Sequence, residues 1–336
     1  MVFLVRVCFV FLLSILLSVI TVFHDRINHV YAETKGIAPY YDDMNDVKIL
    51  DYNIWAAGSY GTILYSGDRG EKWVIQDSNT RRSLFGISGV DSQRLWVVGA
   101  YGTILCTEDG GEIWKRLEST TDNHLFAVQF IDSKEGWAVG NYSTILHTND
   151  GGINWEDQSL GKDLQLYSVY FVDCNNGWVA GEFGVIYYTK DGGKIWKKQQ
   201  SGIEVDITSE SVQCLFKVYF NDLNKGWACG LDGIILKTLD GGTTWEIVRR
   251  SGKNHLLDII FKDGRIFGVG MRGTIISRKV KESKWEDYEC QIKRHLNAID
   301  FWGELGIIVG CGGTIFRTEA GNYIWKLLKP VERVKR

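Results

Sequence analysis

The chain has 336 residues, 45% of them hydrophobic and 13% aromatic, with a formal net charge of −3 and a pI near 6.1. This excludes a globally basic, nucleic-acid-binding surface and leaves ample apolar content for a large core. Only two prolines, Pro39 and Pro330, stand against 38 glycines, and with the aromatic and β-branched content this suits a turn-rich all-β protein.

In chain order, the first element is an uncharged apolar run, residues 7–23, behind the single Arg6. Such a run reads as a secretory signal or a short membrane anchor, and "HVYAET" offers a small-residue cleavage site after Ala32. Residues 1–32 are therefore assigned to a signal peptide or anchor and 33–42 to a linker. Either reading places the remainder outside the cytoplasm (periplasm, lumen or exterior), and an uncleaved 7–23 would hold it to a membrane. Cys8 lies too early in the run to be a lipidated cysteine. The other cysteines, Cys106, Cys174, Cys214, Cys229, Cys290 and Cys311, are an even number that permits disulfides in an exported chain, but they show no CxxC spacing, so a zinc site is unsupported and packed free thiols in strands are expected.

From residue 43 onward the sequence repeats. A G-x-x-G-x-I motif, loosely kept, begins at Gly58, Gly99, Gly140, Gly181, Gly230, Gly270 and Gly310, with a tryptophan 15 residues after each glycine. The periods are 41, 41, 41, 49, 40 and 40 residues. A repeat of about 40 residues rich in strand formers marks a propeller blade. The fold class is therefore all-β, a seven-bladed β-propeller of four-stranded antiparallel blades over residues 43–328, followed by a basic tail at 329–336.

The third copy shows the expected unit: "LFAVQFID", "GWAVG", "STILHT" and "INWEDQ" as strands one to four. The 8-residue excess between copies four and five falls in the polar stretch "SGIEVDITSESVQC". Seven complete units let the ring close by packing the last blade on the first. A second tryptophan series, Trp55, Trp96, Trp137, Trp178 and Trp227, stands three residues before the repeat glycines, with Phe267 and Ile307 in the last two copies. Sheets packed face to face need such groups on both faces, so the periodic aromatics read as core.

After each third strand the chain carries an acidic turn of the form [ST]-x-D-x-G-x-x-W, as in "TNDGGINW". Five copies keep it, with Asp68, Asp109, Asp150, Asp191 and Asp240; Val280 and Ala320 replace the acid in the last two. This is the Asp-box, or bacterial-neuraminidase repeat. Hydroxyl and carboxylate satisfy backbone groups in the turn, and glycine supplies a positive φ. One carboxylate per turn lacks the alternating oxygen ligands of a calcium loop, so no metal and no cofactor is expected.

Catalytic motifs are missing at the level of sequence. The Asp-box directs attention to sialidases and other glycoside hydrolases, yet there is no R-I-P motif and no recurring carboxylate pair of the kind that hydrolysis needs about 5 to 9 Å apart. A carbohydrate-binding propeller is the related non-catalytic alternative. The face opposite the acidic turns carries the 2–3 turns "SYG", "AYG", "NYS" and "EFG", hence Tyr60, Tyr101, Tyr142 and Phe183. The blade-to-blade connections there add Arg81, Arg82, Arg249, Arg250, Lys253 and Arg294, a combination suited to a protein interface. His124, His255 and His295 fall in register just before first strands, and solvated loop ends suit them better than a metal site.

Repeats of the form "GWAVGNYSTILHTNDGGINW" behind an export signal resemble the photosystem II stability/assembly factor family, over about residues 43–328. That family comprises lumenal or periplasmic Asp-box propellers, with relatives in non-photosynthetic bacteria. The resemblance implies a non-enzymatic scaffold that binds a protein partner, a subunit of a membrane complex such as newly made D1, through basic residues. The eroded sixth and seventh turns and the missing lipobox depart from its closest members.

Overall fold

The computed structural model describes residues 42–203, 213–288, 290, 292–318 and 323–328. The expectations for the N-terminal segment, the tail, Ala320 and most of the insertion after Ser201 lie outside them. Seven four-stranded antiparallel sheets follow one another along the chain, each made of four consecutive strands. The first strands are Met44–Leu50, Leu84–Gly89, Leu125–Phe130, Leu166–Phe171, Leu215–Phe220, Leu256–Lys262 and Leu296–Trp302. Each first strand neighbours the first strand of the next blade, and that of blade 7 returns to blade 1.

Among the described residues no blade borrows a strand from elsewhere, and the ring closes through side chains and turns. Asn297 Nδ2 donates to the Met44 carbonyl at 2.9 Å, and Asp300 Oδ2 accepts the Ile49 N–H at 2.8 Å. The Gly312 and Gly313 N–H groups donate to Asp43 Oδ1 and the Asp42 carbonyl, at 2.7 and 3.0 Å.

Strand extents differ from the pattern in two ways. The second strands match their motif, as Gly136–Gly140 shows, but the outer strand expected over "INWEDQ" pairs only at Glu156–Asp157. Exposed and edge-facing, it gains little from a longer ladder. The third strand begins at Ile145 because Asn141–Ser143 forms a single 3-10 turn.

The repeat glycine is explained by approach, not by dihedral freedom. A bulge in each first strand presses a carbonyl against it, so a Cβ on Gly140 would stand 1.8 Å from the His124 carbonyl oxygen, and one on Gly181 1.9 Å from that of Gln165.

The core lies between blades. Trp137 and Trp178 are fully buried and stack on a phenylalanine of the following blade, Phe171 and Phe220, each at 3.6 Å between ring centroids. Trp73, Trp114 and Trp155 of the other series are buried, and their later counterparts half-buried. Trp302 alone of the tryptophans is exposed. All six ring cysteines are free; Cys106 and Cys229 lie in strands, whereas Cys174, Cys290 and Cys311 lie in loops or turns, which corrects the expectation of strand packing for these three.

Candidate functional site

The acidic turns are closed hydrogen-bond knots. In the third blade Thr148 Oγ1 donates to Asp150 Oδ1 at 2.8 Å and accepts the Gly152 N–H at 2.9 Å. Asp150 Oδ1 also accepts the Asn154 N–H at 2.9 Å, and Oδ2 takes the Asn154 side-chain amide at 2.7 Å. The other four turns repeat the hydroxyl–carboxylate contact through Asp68, Asp109, Asp191 and Asp240, at 2.7–2.9 Å. Backbone N–H groups of Ile113, Asn154, Ile195 and Thr244 hold Asp109, Asp150, Asp191 and Asp240 below the usual carboxyl range. These carboxylates are consumed inside the turn. Among the described residues no cluster of three His, Cys, Asp or Glu side chains is placed to hold a metal ion.

Each turn also fastens neighbouring blades. The indole N–H of Trp55, Trp96, Trp137 and Trp178 donates to the carbonyl of Gly110, Gly151, Gly192 and Gly241 in the next blade's turn, at 2.8–3.1 Å.

The opposite face has its own device. The middle residue of every 2–3 turn is left-handed: Tyr60, Tyr101, Tyr142, Phe183, Asp232, Arg272 and Gly312, with φ of 52–62°. Six of the seven are not glycine, a conformation that costs about 1 kcal/mol or more for an L-residue. In three of these six a fixed acceptor on the next blade offsets it. His124 Nδ1 accepts the Tyr101 N–H at 3.0 Å, His255 Nδ1 that of Asp232 at 2.9 Å and His295 Nδ1 that of Arg272 at 3.3 Å. Asp43 does the same for Gly312. The registered histidines are therefore interblade latches, not a metal triad or solvated loop ends. Burial lowers the pKa of His124 and His295, which favours the neutral ring that can accept.

This placement sorts the predicted surface residues. Tyr60, Tyr101 and Tyr142 point outward, 44%, 58% and 59% exposed, on three consecutive blades, and Phe183 follows half-buried. Arg81, Arg250 and Lys253 are exposed. Three other arginines are already committed. Arg82, Arg249 and Arg294 each donate to a turn carbonyl, those of Tyr101, Gly233 and Gly312, at 2.9 Å. Arg249 is half-buried beside the Trp285 ring.

The same face carries a feature that sequence reading missed. The second residue of each first strand lines the channel mouth, and in blades 2–5 it is aromatic: Phe85, Phe126, Tyr167 and Phe216, half-buried, with centroids 5.5–5.8 Å apart. His124 and Tyr101 extend this arc onto the rim. Asn45 and Asn297 take the position in blades 1 and 7, their amides tied to backbone carbonyls. The signal lay in the sequence, one residue after the first apolar position of each repeat, masked by its mixture of residue types.

Deeper in the channel, first strands are stitched by side-chain acceptors. Asp46, Ser88, Gln129, Ser168, Asp258 and Asp300 accept a backbone N–H from the next blade, at 2.7–3.1 Å. At the fifth junction Lys217 meets Asp258 at 3.3 Å instead.

Fold and face together define a closed seven-bladed propeller of the acidic-turn type, with one rim knotted by hydrogen bonds and the other offering aromatic tips. The chain belongs to the family described as "Photosynthesis system II assembly factor YCF48", whose profile matches residues 71–165, 114–201 and 154–254, more than half of its length. The solved structure of "YCF48 bound to D1 peptide" is similar at 17% identity and a TM-score of 0.67, over 85% of this chain and 96% of that one. "YCF48 from Cyanidioschyzon merolae" is similar at 17% identity and 0.69, over 84% and 97%. The WD40 propeller domain of Doa1 reaches 16% and 0.67, over 86% and 98%, so these likenesses speak for the fold alone. Among curated proteins no sequence matches.

Proposed function

We propose that this chain is an extracytoplasmic, non-catalytic scaffold that binds a protein partner and assists assembly of a membrane protein complex, as a photosystem II assembly factor does. Family membership supports an assembly-factor-like, protein-binding role, and one structurally similar protein, a YCF48, is bound to a D1 peptide. The observation that carries the reading is the aromatic arc. Tyr60, Tyr101 and Tyr142 project from rigid left-handed turns, and Phe85 to Phe216 continue inward to the channel mouth. Exposed aromatics held by a stiff frame lose little entropy on binding and serve as anchors. Arg81, Arg250 and Lys253 add basic charge on that face for an acidic or carboxylate-bearing segment.

The test is capture of the partner by the full chain, using a D1 peptide and membrane extracts. Replacing Tyr101 and Tyr142 with alanine should weaken capture by about tenfold or more with an unchanged melting temperature, as expected for anchor residues. Arg81→Glu with Arg250→Glu should weaken it less. Unchanged capture in both variants would discard this face. Turnover of sialosides or β-glucans would contradict the non-catalytic part of the reading.

A further inference from the structure

The acidic-turn rim is knotted internally, yet its tips are the most apolar exposed points of the ring. Ile153 of blade 3, Ile195 of blade 4 and Leu239 of blade 5 are 71%, 58% and 60% exposed, all within acidic turns of consecutive blades. Each protrudes from a turn fixed by two positive-φ glycines, as at Gly192 and Gly193 with φ of 72° and 95°. Leu239 borders a shallow recess lined by Lys237, Thr238, Thr244, Trp245 and Glu246, which Ile153 and Ile195 do not share, so the row does not form one continuous pocket.

Charge singles out the middle of this row. The blade-4 stretch "TKDGGKIWKKQ" carries Lys190, Lys194, Lys197 and Lys198, all exposed and none ion-paired among the described residues. Its one acid, Asp191, is used up by Thr189 and the Ile195 N–H. The flanking blades carry exposed acids, Glu156 and Asp157 of blade 3 and Glu246 of blade 5, on the outer strand equivalent to the one that holds Lys197 and Lys198. Asp240 in the blade-5 turn is held by Thr238, so the lysine excess is confined to blade 4.

Exposed aliphatic tips around a cluster of four long lysines that form no ion pair among the described residues match the layered chemistry of an anionic bilayer surface. The aliphatic groups enter the boundary of the acyl layer while ammonium groups remain among the phosphates. We infer that the acidic-turn rim of blades 3–5 docks onto an anionic lipid headgroup surface. The occupant is the bilayer, because the blade-4 lysines supply charge complementarity to its phosphates. This rim is opposite the face proposed to bind a protein, so a docked ring keeps its aromatic tips open.

The test uses the full chain mixed with vesicles and reads the acylation rate of individual lysines by mass spectrometry. Membrane attachment through residues 7–23 alone does not protect a lysine on the ring, so the two causes separate. With vesicles rich in phosphatidylglycerol, Lys190, Lys194, Lys197 and Lys198 should react about fivefold more slowly, as close headgroup contact requires, while Lys162 and Lys253 on the opposite face keep their rates. Vesicles of phosphatidylcholine alone should leave all six unchanged. Ile153→Glu with Ile195→Glu and Leu239→Glu should abolish the protection without altering the melting temperature.

Equal rates in all vesicles would overturn the inference. Protection of all six lysines to the same extent would overturn it as well. Protection that appears only when the vesicles carry membrane proteins would assign the rim to a protein and likewise refute lipid docking. Since this readout involves no partner capture, its failure is distinct from failure of the proposed function.

Discussion

Blades 2–5 and the arc from blade 6 through blade 7 to blade 1 solve the same closure problem with different parts. In the first group an indole N–H reaches the glycine carbonyl of the next acidic turn. In blade 6, Arg278, Val280 and Glu282 stand where the hydroxyl, the acid and the motif glycine belong, and Lys281 where the latch carbonyl does. Trp227 still stands at the equivalent position, and its buried Nε1 has no acceptor among the described residues. At the junction of blades 7 and 1 the exchange is reversed: the turn survives and the indole is lost to Ile307. The Arg69 carbonyl then takes Arg317 Nη1 at 3.2 Å, and Arg317 also pairs with Glu71 at 2.7 Å. A latch has two halves; when one erodes, the other is either re-partnered or left unsatisfied.

The channel repeats the contrast. Blades 2, 3 and 4 stitch to their successors through neutral acceptors, Ser88, Gln129 and Ser168. Blades 6, 7 and 1 use carboxylates, Asp258, Asp300 and Asp46. Charged acceptors make stronger hydrogen bonds but suffer desolvation. Burial pushes Asp46 up to about 6, against the pull of Lys217 and two N–H donors, with Asp258 pushing the same way as burial.

Asp46 therefore supplies the largest test. Its folded pKa exceeds its unfolded one, so its favourable contribution is complete below about pH 4 and is lost as pH rises through about 6. A shift of about two units corresponds to about 3 kcal/mol at neutral pH. Denaturant unfolding of the full chain should show stability falling between pH 4 and 7, and Asp46→Asn should flatten that window. Acidic-turn carboxyls act in the opposite sense and below it, since their pKa values are lowered and their contribution is lost only as pH falls beneath about 4. A flat profile in the parent protein would show that Asp46 stays ionised.

How much is readable from sequence follows the range of the interactions. Blade number, second strands and turn knots are local, repeated and set by spacing, so Gly140, Trp155 and Asp150 can be assigned from their sister positions. The histidines stand visibly in register but their task is hidden, because the latch spans two blades; the clue is a constant 23-residue offset from each histidine back to its turn tip. Arg82, Arg249 and Arg294 read as free charges because nothing local betrays a carbonyl partner. The channel carboxylates and the Arg317 substitution have no spacing signature at all, since they join residues such as Ile49 and Asp300 that are 251 positions apart.

The turn knots provide the next test in size. Asp150→Ala removes the acceptor for Thr148 and for the Asn154 N–H, and should cost about 1 to 2 kcal/mol by chemical denaturation. Partner capture should not change, since Asp150 lies on the opposite rim. Val280→Asp in blade 6 should recover none of this, because Arg278 replaces the hydroxyl and Glu282 the glycine. A stabilised Val280→Asp protein would mean that the acid alone builds the knot.

The smallest effect separates the two halves of the ring most sharply. Trp178→Phe keeps most of the stack on Phe220 but deletes the donor to the Gly241 carbonyl. Loss of a net hydrogen bond, with the carbonyl left partly unsatisfied, should cost about 1 kcal/mol beyond the change in ring size. Trp227→Phe makes the same change of ring, stacked on Phe261, yet removes a buried N–H that already lacks a partner. It should therefore cost less than Trp178→Phe by about that hydrogen-bond increment, because eliminating an unsatisfied donor relieves a desolvation penalty. Paired urea unfolding of the two variants measures the difference directly, and equal losses would show that the latch contributes nothing and that ring volume alone holds adjacent blades.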